Sequence, residues 1–173
     1  MTEIAELPVL AGVEWPRDEE PPAVPGFVVS DFSPLVSELA DRCLTERHGT
    51  APAPAEIGGR TAVVLVTASG DAQSAAHVAE AVDTGARVGP LLFFQSVPNS
   101  IAGHVATRWG LRGPVLCISP TGQPRADGMA QARLLIEDGD ADEVLVVCVE
   151  QAVEQAGNAA QGSAFLASKG DSR

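Results

Sequence analysis

The chain is short of positive charge, of lysine above all, and of any long apolar run. Its 173 residues hold 11 Lys and Arg against 23 Asp and Glu, a formal net charge of −12, and Lys169 is the sole lysine. Such a balance excludes the basic footprint of a nucleic-acid-binding protein. No stretch approaches the roughly 20 consecutive apolar residues that a membrane-spanning helix needs. Glu3 and Glu6 stand where a secretion signal would be basic, so the expected location is the cytoplasm. Cys43, Cys117 and Cys148 have no metal-type spacing, and the last two fall inside apolar runs where cysteine acts as a small buried hydrophobe. A Gly-rich phosphate loop, a zinc spacing and a dinucleotide fingerprint are all missing, so no metal and no cofactor are expected. The acidic stretch Gly139–Glu143 is too short for a calcium loop and reads as a solvated turn.

What is present is an apolar fraction of 45% with 20% charged residues, the composition of a globular domain large enough for a proper core. Residues 1–26 carry five prolines and the acidic run Asp18-Glu19-Glu20. They read as an extended lead-in, followed by one domain over 27–173. Val24–Val29 suggests a first strand. Asp31 or Ser33 then caps a helix through about Cys43, and His48–Gly59 is a loop. Thr61–Thr67 is a continuous apolar run, as expected of a central strand buried on both faces. Ala72–Thr84 is a helix with Ala75, Val78, Ala79 and Val82 on one face, ended by Gly85. Val88–Phe94 carries Gly89-Pro90 and two phenylalanines and leads into a helix over Asn99–Trp109. A strand at Val115–Ser119, a helix at Pro124–Asp138 and strands at Val144–Val149 and Gly162–Ser168 complete the order. Alternation of this kind predicts an α/β fold with a mostly parallel sheet.

The segment Pro98-Asn99-Ser100-Ile101-Ala102-Gly103-His104-Val105-Ala106, followed by Gly110-Leu111-Arg112-Gly113-Pro114 and a strand, turn and helix, resembles the N-terminal half of the β-ketoacyl synthases. These are condensing enzymes of the thiolase fold. The resemblance is convincing over about 88–168 and looser over 24–87. It implies a thiolase-like half, with a five-stranded, mostly parallel sheet flanked by helices and an antiparallel last strand. In that family the turn after the strand carries the catalytic Cys, and two histidines come from the C-terminal half. Counted from Gly113-Pro114, the Cys position falls on Gly122; a one-residue gap would place Gln123 there, as in the chain-length factors. Neither side chain is a nucleophile. The implied vestige is therefore Gly122 and Gln123, with Ser119, Pro120, Thr121 and Pro124 lining a groove. Pro98, Asn99, Gly103, His104, Gly113 and Pro114 are the family motif.

The expected function is that of a catalytically inactive ketosynthase-like accessory protein of polyketide or fatty-acid-type biosynthesis. Other readings remain open. Ser119 with His104 would give an acyltransferase or hydrolase on carrier-bound or CoA thioesters, although a Ser–His pair needs hydrogen-bond reach and an orienting group. Cys117, inside the strand, is a poor substitute nucleophile. An acyl-ligand-binding module would need no chemistry. The Pro124 helix has apolar residues on several faces, Met129, Leu134, Leu135 and Ile136 among them, which suggests burial on more than one side. A homo-oligomer or a complex with a ketosynthase is thus expected. An acidic acyl carrier protein fits the overall charge poorly, but Arg108, Arg112, Arg125 and Arg133 make one segment locally basic.

Overall fold

A computed structural model describes residues 7–16, 19–151 and 160–170. Its elements, in chain order, are β1 (Val9–Glu14), α1 (Phe32–His48), α2 (Ala55–Gly58), β2 (Thr61–Val66), α3 (Ala72–Thr84), α4 (Pro90–Gln95), α5 (Pro98–Trp109), β3 (Val115–Ile118), α6 (Pro124–Glu137), β4 (Glu143–Glu150) and β5 (Gln161–Ser168).

Five strands form one sheet in the order β1-β5-β4-β2-β3. The central β2 runs parallel to both β3 and β4, while β5 is antiparallel to β4 and to β1. The antiparallel last strand is as expected, but the antiparallel share of the sheet is larger than "mostly parallel" implies. The reason is a correction at the N-terminus. The first strand is Val9–Glu14, inside the stretch expected to be a lead-in, and not Val24–Val29. Pro22 and Pro25 remove backbone donors, Gly26 turns the chain at φ +87°, and Val24 and Phe27 form only an isolated bridge. Val9–Glu14 is free of proline and alternates, Ala11 buried and Val13 half-buried between exposed neighbours.

Period-2 alternation divides the core in two. Val63, Leu65, Leu145, Val147, Val149, Ala164 and Leu166 face α1 and α5; Val64, Val66, Val144, Val146, Phe165 and Ala167 face α6. One sheet face therefore carries two helices and the other carries one. α1 runs on past Cys43 to His48, because Leu44 is also fully buried and Gly49 at φ +78° ends it. Two glycines set the spacing by close approach. A Cβ on Gly113 would lie 2.6 Å from the Thr61 carbonyl oxygen, and one on Gly128 would lie 2.4 Å from Val146 Cγ1. Gly128 is thus what lets α6 lie flat on β4 and β2.

α3 departs from its pattern most. The sequence places Ala75, Val78, Ala79 and Val82 on one face of the helix, yet the residues turned inward are Ser74 and Ala81. Ala75, Ala79 and Val82 are exposed and Val78 is half-buried. Ser74 is inside because Asp71 caps the helix, accepting from the Ser74 amide at 2.9 Å and from its hydroxyl at 2.8 Å. Among the described residues no helix is long and apolar enough to cross a membrane.

Candidate functional site at the head of helix α6

The turn between β3 and α6 is built from the strand's end and a proline-started helix. Pro124 occupies the first helical turn, where a missing N–H costs nothing, and Gln123 stands at the N-cap without a side-chain cap bond. The cap is supplied from within. The Asp127 carboxylate reaches back and accepts from the Thr121 backbone N–H at 2.7 Å and from the Thr121 hydroxyl at 2.9 Å. Donation by the Thr121 amide and hydroxyl, with weaker contributions from the Gly122 and Gln123 amides, holds the Asp127 carboxyl below its ordinary pKa. Amides at a helix N-terminus are a ready place for an anion. Here the Asp127 carboxylate sits against the turn just ahead of that terminus, on Thr121.

Gly122 sits in this turn, exposed, with nothing within 4 Å of where a Cβ would be. Its φ is not in the left-handed region, so neither space nor backbone conformation requires glycine. Ser119, Thr121 and Gln123 are exposed, and Pro120 and Pro124 are half-buried. Gly122, Gln123 and Pro124 do line a groove of about 840 Å³, together with Leu7, Met129 and Arg133. Ser119, Pro120 and Thr121 do not line it. The Arg125 guanidinium at its margin lies 4.3 Å over the Phe165 ring, a stacking that covers an aromatic on the sheet's α6 face.

The motif residues fall elsewhere. Pro98 opens α5, and Gly113 and Pro114 fasten its exit to β2, the Gly113 amide donating to Thr61 at 3.0 Å and the Val63 amide to Pro114 at 2.9 Å. Asn99 is exposed, and Gly103 is half-buried with open space around its Cα. His104 packs edge-on to Phe27 with ring centroids 5.6 Å apart and lines a cleft with Pro34, Glu38 and Arg108. That cleft belongs to the α1–α5 layer. Among the described residues no hydrogen bond joins His104 to Ser119, so the Ser–His pair is not assembled.

The thiols are equally unsuited to attack. Burial pushes Cys43 up to about 12 and Cys148 up to about 11, and it raises Cys117. Among the described residues no group of three or more His, Cys, Asp or Glu could hold a metal ion. The residue that sequence reasoning missed is Asp127, whose only signal was an acid three residues after the helix's opening proline.

The sequence model described as the β-ketoacyl synthase N-terminal domain matches residues 49–163. No curated protein matches the chain in sequence. Among solved structures, the ketosynthase ApeO in complex with its chain length factor ApeC from Xenorhabdus doucetiae is similar at TM-score 0.72 and 16% identity, covering 96% of this chain and 80% of that one. The ishigamide ketosynthase/chain length factor is similar at TM-score 0.70 and 20% identity, over 87% of this chain and 47% of that one. A β-ketoacyl synthase from Burkholderia phymatum is similar at TM-score 0.69 and 14% identity, over 89% of this chain and 46% of that one. At these identities the likeness is one of fold, and this chain spans about half the length of the last two. Strand, turn and helix are those of a condensing enzyme's first half, and the matched span is well over half of the chain, so the protein belongs to the β-ketoacyl synthase N-terminal domain family.

Proposed function

We propose that the protein is a non-catalytic accessory subunit of a condensing enzyme in polyketide or fatty-acid-type biosynthesis, working as the partner of a ketosynthase. The observation that carries this reading is the head of α6. Gly122 offers no nucleophile, and the amides of the turn around it, those of Thr121, Gly122 and Gln123, already face the Asp127 carboxylate. The partner half of the reading draws on the comparisons, in which two of the most similar folds come from ketosynthase and chain length factor pairs.

A subunit of this kind contributes shape. The groove beside Pro124 and Met129 is apolar along its floor, with Arg125 and Arg133 at its margin, and suits an acyl chain with an anionic end. That groove favours acyl-ligand binding as the second reading, with or without a carrier protein. Intact-mass measurement after incubation with acyl-CoA and with acyl-carrier protein tests the first reading. The expected result is an unchanged mass; an acyl adduct on any residue overturns it.

A further inference from the structure

The segment just ahead of α1 is gripped by three glutamines from three different places in the fold. On α4, the Gln95 side chain accepts from the Val28 amide at 2.8 Å and donates to the Val28 carbonyl at 2.7 Å. Just past β4, the Gln151 side-chain amide donates to the Ser30 hydroxyl oxygen at 3.0 Å, and that oxygen also accepts from the Phe32 amide at 3.1 Å. On α3, the Gln73 side chain accepts from the Asp31 amide at 3.0 Å, while the Gln73 backbone amide donates to the Gln151 side chain at 3.2 Å. Ser30, Gln95 and Gln151 are buried. Among the described residues α3 makes no substantial contact with another helix or strand, so packing contributes little to its place.

Inside the grip sits Val29 at φ +81°, the one non-glycine residue with positive φ among the described residues. A β-branched side chain is crowded against the backbone there, and such a residue persists only where its surroundings over-determine it. Its own side chain supplies no compensation, being 51% exposed. What holds it is the pair of grips on its neighbours, Gln95 on Val28 and Gln151 on Ser30. With either grip gone, the backbone is free to turn back to the extended region.

We propose that residues 28–31 are a spring-loaded latch for an arm made of α3 and α4. The glutamines keep the arm closed by holding Val29 strained, and the arm opens as one unit when the grip is lost. This goes beyond the accessory-subunit reading and stands without it. The strain exists in the closed state alone and works against the bonds, so closed and open states lie nearer in free energy than the bonds by themselves would set them. The gripping side chains are uncharged amides, so the latch answers to movement of α4 or of the β4 exit, and not to the protonation of its own groups.

Two measurements by NMR on the whole chain test this. Hydrogen exchange reads opening of the arm, and the three-bond coupling between the amide and α protons of Val29 reads its φ. Wild type is expected to show the coupling of a positive φ. Gln95→Ala is expected to move that coupling to the extended value and to speed exchange on α3 as well as α4 by about tenfold, with β2 and β4 unchanged. Val29→Gly keeps the grips and removes the strain, so exchange of the same amides is expected to slow by about threefold or more. The opposite signs distinguish a latch from ordinary contacts, for which both substitutions would speed exchange. A wild-type coupling of extended backbone, or a Val29→Gly variant that exchanges as fast as wild type or faster, removes the strain and overturns the proposal. It is equally overturned if Gln95→Ala leaves the Val29 coupling unmoved, or if it fails to speed exchange on α3.

Discussion

α6 and α3 make an instructive pair. Both are helices with apolar residues, and α6 looked the more in need of cover because those residues fall on several faces. In the structure α6 is well seated: Gly128, Ala132 and Leu135 are buried against the sheet, and Arg125 lies over Phe165. α3 has the cleaner stripe and leaves it bare. Periodicity shows that a helix has a face; it does not show whether the chain itself covers that face. Seating depends on a close approach at one point, and Gly128 provides it for α6. No residue of α3 does the same.

The sharpest test of this contrast sets aromatic against aromatic. Trp109 is fully buried in the α1–α5 core and its indole N–H donates to Asp41 at 2.5 Å. Trp109→Ala should cost about 3–5 kcal/mol in urea unfolding. Phe93→Ala and Phe94→Ala should each stay within about 0.5 kcal/mol in the isolated protein. Comparable losses at all three positions would mean that α4 packs in solution against a surface of its own chain.

Next in size is Gly128→Val. The added side chain meets Val146 and Val66, so α6 must lift, at a cost of roughly 1–3 kcal/mol. Ala79→Val on the open face of α3 should change stability by a few tenths of a kcal/mol, chiefly through helix propensity.

The packed body also carries a buried histidine beside a carboxylate. His48 and Glu143 are buried 3.6 Å apart, with His48 Nε2 and Glu143 Oε2 lacking hydrogen-bond partners among the described residues. Burial lowers the His48 pKa, opposed by the Glu143 charge. The folded state therefore favours neutral imidazole. Its contribution is complete above the ordinary value of 6.5 and is lost as pH falls below that. Histidine NMR should show His48 titrating below the ordinary value of 6.5, and His48→Gln should flatten the stability profile between about pH 5 and 7.

The smallest effect on stability is expected at Gly122, and it bears on function. Gly122→Cys meets open space, so unfolding should shift by no more than about 0.5 kcal/mol. Its thiol should alkylate at an ordinary rate, because the Asp127 carboxylate opposes a thiolate at the helix head. Adding Asp127→Asn should speed iodoacetamide labelling. A fast thiol in the single variant would show that Asp127 does not hold the amides.

Much of this was legible in the sequence. Thr61–Thr67 reads as a strand buried on both faces and Val144–Val149 as a strand, and the turn ending at Pro124 follows from proline's preference for a helix start. β1 was not legible, because its pairing with β5 joins residues about 150 positions apart and its prolines lie outside the six strand residues. Nor was the role of Asp127. An acid in a helix's first turn is common, and only the fold of the turn brings the Thr121 amide to it.

The loose attachment of α3 and α4 has a consequence for how the protein comes apart. The sheet with α1, α5 and α6 shares its core and opens only when everything opens. This α3–α4 arm is tied to the rest of the chain by the Gln73 amide donating to Gln151 at 3.2 Å, the Asp31 amide donating to the Gln73 side chain at 3.0 Å, and the Gln95 grip on Val28. Hydrogen exchange at its amides therefore proceeds by local opening, at a free energy well below that of global unfolding. A protease acting on the native protein is expected to cut there first, so limited proteolysis should nick this region while the sheet and its three packed helices stay whole.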